Sequence, residues 1–379
     1  MARKINIREE IDFENDGCCT ETFESGLTYA VNRVKAITNP YVGNKRKVLF
    51  WILKTLKDEG LEYNRVLDLF SGSHCLSIVM KLMGKQVVCN DVLSSSHMYG
   101  VGFVENNDTT LSTSDIEFLL ENRCAEALLL VPKYRVEYVD RFTPMECEFL
   151  ANYYTNILKR FNNHESCLEH RFKRALAFAS MQLYIMDHCF VGGRLNRGQI
   201  LARVDHRLEH QRNQGREMSF RDIRWTDFND ENAVKGSSAI QMDASNVASV
   251  LSKDLPDLVY IDPPYGGEQS DYGSMYSFFE EYCGSSDAQS AMQSIGLKKY
   301  TKHKGYQENF CQMMKAVAPI PNIAISYNDS SWASIDHIKK IVEDETNGDV
   351  SVFEQDYDYK YRSSENKKGS EYLCGSVKE

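Results

Sequence analysis

The run Leu258-Val-Tyr-Ile-Asp-Pro-Pro-Tyr265 constrains this chain more than any other segment. An apolar, β-branched stretch of this kind forms a buried strand, and proline, which has no N–H to give a sheet, ends it. An acid, two proline carbonyls and an aromatic ring then stand together at the strand's carboxyl end. In open α/β sheets that rim is where ligands bind. An aromatic face beside hydrogen-bond acceptors suits a flat group carrying an amine, such as a nucleobase. The plainer alternative is a strand that ends in a proline-rich turn.

The chain has 379 residues, enough for a large core and two lobes. Hydrophobic residues make up 42% and charged residues 26%, as in ordinary globular proteins. No apolar run approaches the ~20 residues that span a bilayer, so no membrane partner is expected. Residues 1–6 lack the apolar stretch of a signal peptide. The eleven cysteines contain no Cys-x-x-Cys pair and point to reduced thiols in a cytoplasmic setting. The net charge of −10 argues mildly against a nucleic-acid partner, but the basic residues cluster. Arg194, Arg197, Arg203, Arg207, Arg212, Arg216, Arg221 and Arg224 are opposed only by Asp205, Glu209, Glu217 and Asp222. Such a surplus is either an electrostatic footprint for phosphates or a solvated, ion-paired helix face.

Residues 1–36 are polar and weakly patterned, which predicts a partly ordered lead-in. An amphipathic helix follows over Val48 to Leu56, with Gly60 as its C-cap. Arg65 to Phe70 is a short strand, Ser71 to His74 a turn, Cys75 to Met83 a helix, and Gln86 to Asp91 a second strand ending in an acid. This strand, Gly-turn, helix, strand, acid order is a βαβ nucleotide-site pattern. Residues 95–235 break the alternation, with helical spacing over 144–190 and then the basic stretch, and are expected to be an inserted, mostly helical lobe. Strands resume at Ala239–Asp243, Leu258–Asp262 and Asn322–Asn328, and a hairpin of Val350–Tyr361 and Glu371–Val377 closes the chain. The expected fold is α/β, a sheet of about seven strands whose carboxyl ends share one rim.

That rim gathers residues far apart in sequence. Gly72 lets the backbone approach a ligand closely. Asp91 is placed either to accept from ribose hydroxyls or to serve as a turn acid. Asp243 stands either to accept from an adenine amine or, again, as a turn acid.

Taken together, Tyr41-Val-Gly-Asn-Lys45, Asp68-Leu-Phe-Ser-Gly72, Asn90-Asp91, Asp243 and Asp262-Pro-Pro-Tyr265 resemble the Dam-type adenine-specific DNA methyltransferases. The resemblance covers roughly 37–93 and 239–377. It implies a Rossmann-like methyltransferase domain over 37–94 and 236–379, with a target-recognition insert over 95–235. It also implies S-adenosylmethionine as methyl donor, double-stranded DNA as partner, a cognate restriction endonuclease as a possible companion, and a prokaryotic or phage origin. By position, Tyr41, Gly43 and Lys45 contact the cofactor ahead of the first helix. Asp68, Phe70, Ser71 and Gly72 line its methionine and sugar, Asp91 holds the ribose, and Asp243 with Ala244 the adenine. Asp262 lies between cofactor and target base. Arg194, Arg197, Arg207, Arg212 and Arg216 are candidate DNA contacts. One departure is His74, where the family's turn has glycine: either a surface histidine in a slightly different turn, or a weakened cofactor site.

In the implied mechanism, Asp262 and the Pro263 carbonyl each accept one hydrogen of a flipped adenine's amine, Pro264 fixes the loop and Tyr265 stacks on the base. Neither a metal nor a cysteine nucleophile is required. The loop 266–272 is either a lid or an ordinary connection. Tyr357, Tyr359, Lys360, Tyr361 and Arg362 read as edge-strand surface more readily than as a DNA contact. A cytosine exocyclic amine, an RNA adenine or a glutamine amide are alternative acceptors, and a non-catalytic DNA-binding protein is the alternative of another class.

Overall fold

A computed structural model describes residues 23–37, 45–121, 123–130, 144–189, 234–251, 254–264, 272–283, 306–328, 332–359 and 367–377. In chain order the elements are α1 (Phe23–Ile37), α2 (Leu49–Asp58), β1 (Arg65–Asp68), α3 (Cys75–Leu82), β2 (Gln86–Asn90) and α4 (Ser94–Tyr99), which runs into a π-helical turn (Gly100–Glu105). Then come α5 (Thr113–Glu121), α6 (Pro144–Arg160), α7 (Leu168–Cys189), β3 (Ser238–Ile240), α8 (Ala244–Val250), β4 (Leu258–Ile261) and α9 (Tyr272–Tyr282). The remainder is α10 (Tyr306–Val317), β5 (Asn322–Asn328), α11 (Ile335–Thr346), β6 (Val350–Tyr359) and β7 (Lys367–Val377).

The strands form one seven-stranded sheet in the order β3-β2-β1-β4-β5-β7-β6. The first five are parallel; β7 runs antiparallel to β5, and β6 antiparallel to β7. Side chains alternate across a strand, and here that period divides the core in two. Val66, Val87, Leu258 and Tyr260 join the cluster under α1 to α7 and α9. Their neighbours Leu67, Val88, Val259 and Ile261 join the cluster under α8, α10 and α11. The expected sheet and terminal hairpin are therefore both present. The first three strands stop one to three residues short of the sequence reading.

Part of the 1–36 lead-in is a core helix. Within it α1 forms and buries Leu27, Ala30, Val31 and Val34 against the core it shares with α2 and α3. The helices α4, α6 and α7, which belong to the stretch read as an insert, also join that cluster. The edge strand β3 is covered: Glu105 of the π-turn accepts from Ala239 N–H at 3.2 Å and pairs with Arg171 of α7, which blunts an edge that would otherwise be open.

Candidate active site

Strand order reverses between β1 and β4, so the crevice beyond their carboxyl ends is the natural ligand site. The turns at Phe70, Asp91, Asp243 and Asp262 converge there, as neighbouring parallel strands require. Asn90 fastens three of these ends. Its side-chain amide donates to Leu69 O at 3.0 Å and Met242 O at 3.2 Å, and its oxygen accepts from Met242 N–H at 3.2 Å.

Around this staple, Gly72 is half-buried and takes φ 49°, a region glycine enters without steric cost. Its N–H donates to Asp91 Oδ2 at 2.8 Å, while Leu93 N–H donates to Oδ1 at 2.9 Å. Burial pushes the Asp91 carboxyl up to about 6, against the pull of these two N–H groups. Asp243 caps α8: its Oδ1 accepts from Ser245 N–H at 2.9 Å and Ser245 Oγ at 2.5 Å, and Ala244 is buried just behind it. Both acids therefore hold the turns in which they lie. Phe70 is half-buried and Ser71 buried, with Ser71 N–H donating to Asn90 O at 2.9 Å. Asp68 lies deeper and accepts from Ser77 Oγ at 2.6 Å. Burial, then the nearby Asp262 and Asp91 charges, push its carboxyl up to about 7 despite the Ser77 bond.

His74 is not a surface residue. It is 1% exposed, has φ 56°, and its Nε2 lies 2.7 Å from Ser96 O and 3.1 Å from Ser96 Oγ. The left-handed backbone explains why glycine suits this position. Burial pulls the imidazole down to about 3, so it is neutral and Nε2–H donates to the Ser96 carbonyl. Ser96 Oγ in turn donates to Gly72 O at 2.7 Å. The histidine thus braces the turn from behind. Position 100 is glycine for a related reason: a Cβ there would lie 2.9 Å from both His74 Cε1 and Cys89 Sγ.

At the end of β4, Asp262 is 18% exposed, Pro263 is buried and Pro264 half-buried. Lys45, 8% exposed, sets its ammonium 3.3 Å from Asp262 Oδ1 and 2.7 Å from Glu371 Oε1. Burial opposes the charge on Lys45, but the two carboxylates outweigh it and raise the ammonium's pKa. Lys45 was expected to face the cofactor, and among its described contacts is the motif acid itself. Tyr41, Gly43, Tyr265, the 266–271 loop, Lys360, Tyr361, Arg362 and the arginines at 194, 197, 207, 212 and 216 lie outside the described residues.

Sequence reading missed Glu371, Ser326 and Glu280. Glu371 accepts from Ser326 Oγ at 2.5 Å, and only the antiparallel return of β7 beside β5 brings it to the rim. Its one sequence signal is an acid two residues before the buried Leu373, on the same face of a strand. Glu280 of α9 is fully buried and accepts from Ser94 N–H, Ser95 N–H and Ser95 Oγ at 2.7, 2.9 and 2.7 Å. It closes the start of α4, just past Asp91, from the first helix described after the Asp-Pro-Pro turn.

A mixed sheet with an antiparallel final pair, bearing Asp-Pro-Pro at the point where strand order reverses, defines a Rossmann-like methyltransferase. A family model for D12 class N6 adenine-specific DNA methyltransferases matches residues 41–346, and the chain belongs to that family. Its reaction is methylation of the adenine exocyclic amine in DNA, which selects adenine among the acceptors considered above. The chain is also similar to the Type II methyltransferase M2.HphI of Haemophilus parahaemolyticus, 26% identical over 339 residues, spanning 86% of this chain and 93% of that one. Among the described residues, no helix is long and apolar enough to cross a membrane.

Proposed function

We propose that S-adenosylmethionine is the methyl donor and is held by the turns after β1, β2 and β3. The residues present fit it. Gly72 opens the backbone at the first turn, and the Asp91 and Asp243 carboxylates offer acceptors suited to a ribose diol and an adenine amine. When bound, this molecule supplies an electrophilic methyl group on a sulfonium. Tyr41 and Gly43 are proposed to complete its pocket with Lys45, Phe70 and Ser71.

The target base is proposed to enter beside Asp262, flipped out of the duplex. An adenine amine is a weak nucleophile because its lone pair is delocalised into the ring. Asp262 and the Pro263 carbonyl accept its two hydrogens, which favours a pyramidal nitrogen with a localised lone pair. Pro264 holds this geometry before the base arrives, and Tyr265 stacks on the ring. No metal or cysteine takes part. The observation that carries this reading is the motif acid at the strand-order reversal, ion-paired to Lys45. Asp262→Ala is expected to abolish transfer while binding of the donor persists. Full activity in that variant would remove Asp262 from the role.

The stretch 95–235 is proposed to read the DNA, with its arginine cluster on phosphates. By similarity to a Type II methyltransferase, we place the enzyme in a restriction-modification system with an endonuclease of the same site as companion, in a prokaryotic or phage-infected cytoplasm.

A further inference from the structure

Two carboxylates share one buried ammonium at the rim, and the shorter contact goes to the acid outside the motif. Lys45 Nζ is 2.7 Å from Glu371 and 3.3 Å from Asp262. Glu371 is held in turn by Ser326 Oγ and by its place on β7 opposite Asn328. Lys45 is anchored through its carbonyl, which accepts from Val48 and Leu49 N–H at 2.8 and 2.9 Å. The Lys45 main chain is therefore fixed, and its ammonium lies closer to Glu371 of β7 than to Asp262.

A buried lysine with a single carboxylate closes on it as a short, charge-assisted hydrogen bond. Such a bond would engage the oxygens that a target amine needs. We infer that Glu371 is a positioning residue, which draws the Lys45 ammonium off Asp262 so that Asp262 stays charged beside a cation yet keeps acceptor capacity for the adenine amine. This rests on the role proposed above for Asp262. Among the described residues, Asp68 of β1 and Tyr260 of β4 also interact electrostatically with Asp262, and both are unchanged in the variants below.

The test is kcat against pH, at saturating DNA and donor, for Glu371→Gln, Lys45→Met and the double variant. Glu371→Gln removes a negative neighbour and releases Lys45 to Asp262. Its acid limb should move down by about one unit, and kcat at neutral pH should fall about 10-fold or more, with KM for DNA within about threefold of the parent. Lys45→Met leaves two carboxylates facing each other, so its acid limb should move up by about one unit. The double variant should return toward the parent. Opposite shifts are a signature that a purely structural role does not produce. Limbs that stay put, or move the same way in both single variants, overturn the inference. Thermal unfolding confirms that each variant is folded; if Glu371→Gln is not, an unmoved limb in Lys45→Met overturns it equally. Transfer retained by Asp262→Ala would instead sink the role of Asp262, and so separates the two failures.

Discussion

The N–H of Gly72 points at Asp91 Oδ2 from 2.8 Å, so the turn after β1 and the turn after β2 are built as one unit. With Leu93 N–H on the other oxygen, the carboxylate satisfies two backbone donors at once. Asp91→Ala strands both, and is expected to cost about 2–4 kcal/mol of stability together with weaker donor binding. Urea unfolding and calorimetric titration measure the two effects. A loss under about 0.5 kcal/mol would mean that water replaces the carboxylate.

His74 should make the fold acid-sensitive. Its imidazole is held near 3 when buried, against 6.5 when free. A group whose folded pKa is depressed contributes stability that is complete above the free value and is lost as pH falls toward the folded one. The His74 contribution to stability should therefore fall by a few kcal/mol between about pH 6.5 and pH 3, while the raised Asp68 and Asp91 carboxyls act in the opposite sense as pH falls. Asparagine also tolerates left-handed backbone, so His74→Asn should fold and show a shallower decline. Equal slopes for parent and variant in urea titrations would place the acid sensitivity elsewhere.

Gly100 faces the His74 ring with no room for a methyl group. Gly100→Ala is expected to destabilise by about 1–3 kcal/mol. Part of that loss should return when His74→Asn is added, since the two changes share one space. Strict additivity in the unfolding free energies would show that the ring is not the obstacle.

Glu280 joins α9 to the start of α4 through three hydrogen bonds. Glu280→Ala leaves buried N–H groups without their acceptor and should cost about 2–4 kcal/mol. Glu280→Gln keeps one acceptor oxygen and should cost less. An alanine variant as stable as the parent by thermal unfolding would contradict the account of this contact.

Much of the sheet was legible in the sequence because apolar runs such as Val66-Leu67 and Val87-Val88 end at acids or turn residues, and parallel strands bring those ends to one rim. The helix α1 was legible in principle, since Leu27, Ala30, Val31 and Val34 follow the i, i+3, i+4, i+7 spacing, but the polar residues between them masked it. Glu371, Ser326 and Glu280 were not legible, because each acts across a tertiary contact that no local pattern encodes. His74 was misplaced for the opposite reason: a polar residue at a glycine position suggests the surface, whereas the backbone turn carries it inward.

Alanine at Arg207, Arg212 and Arg216 together should weaken DNA binding and flatten its salt dependence. Binding isotherms at several salt concentrations measure this. An unchanged slope would put the phosphate-binding surface elsewhere on the molecule.

The most direct test of the central claim is product analysis. Duplex DNA incubated with the protein and methyl-labelled S-adenosylmethionine is digested to nucleosides and separated. Label is expected in N6-methyladenine, and none when Asp262 is alanine. Label in a methylated cytosine, or in no nucleoside from any DNA tried, would contradict the claim.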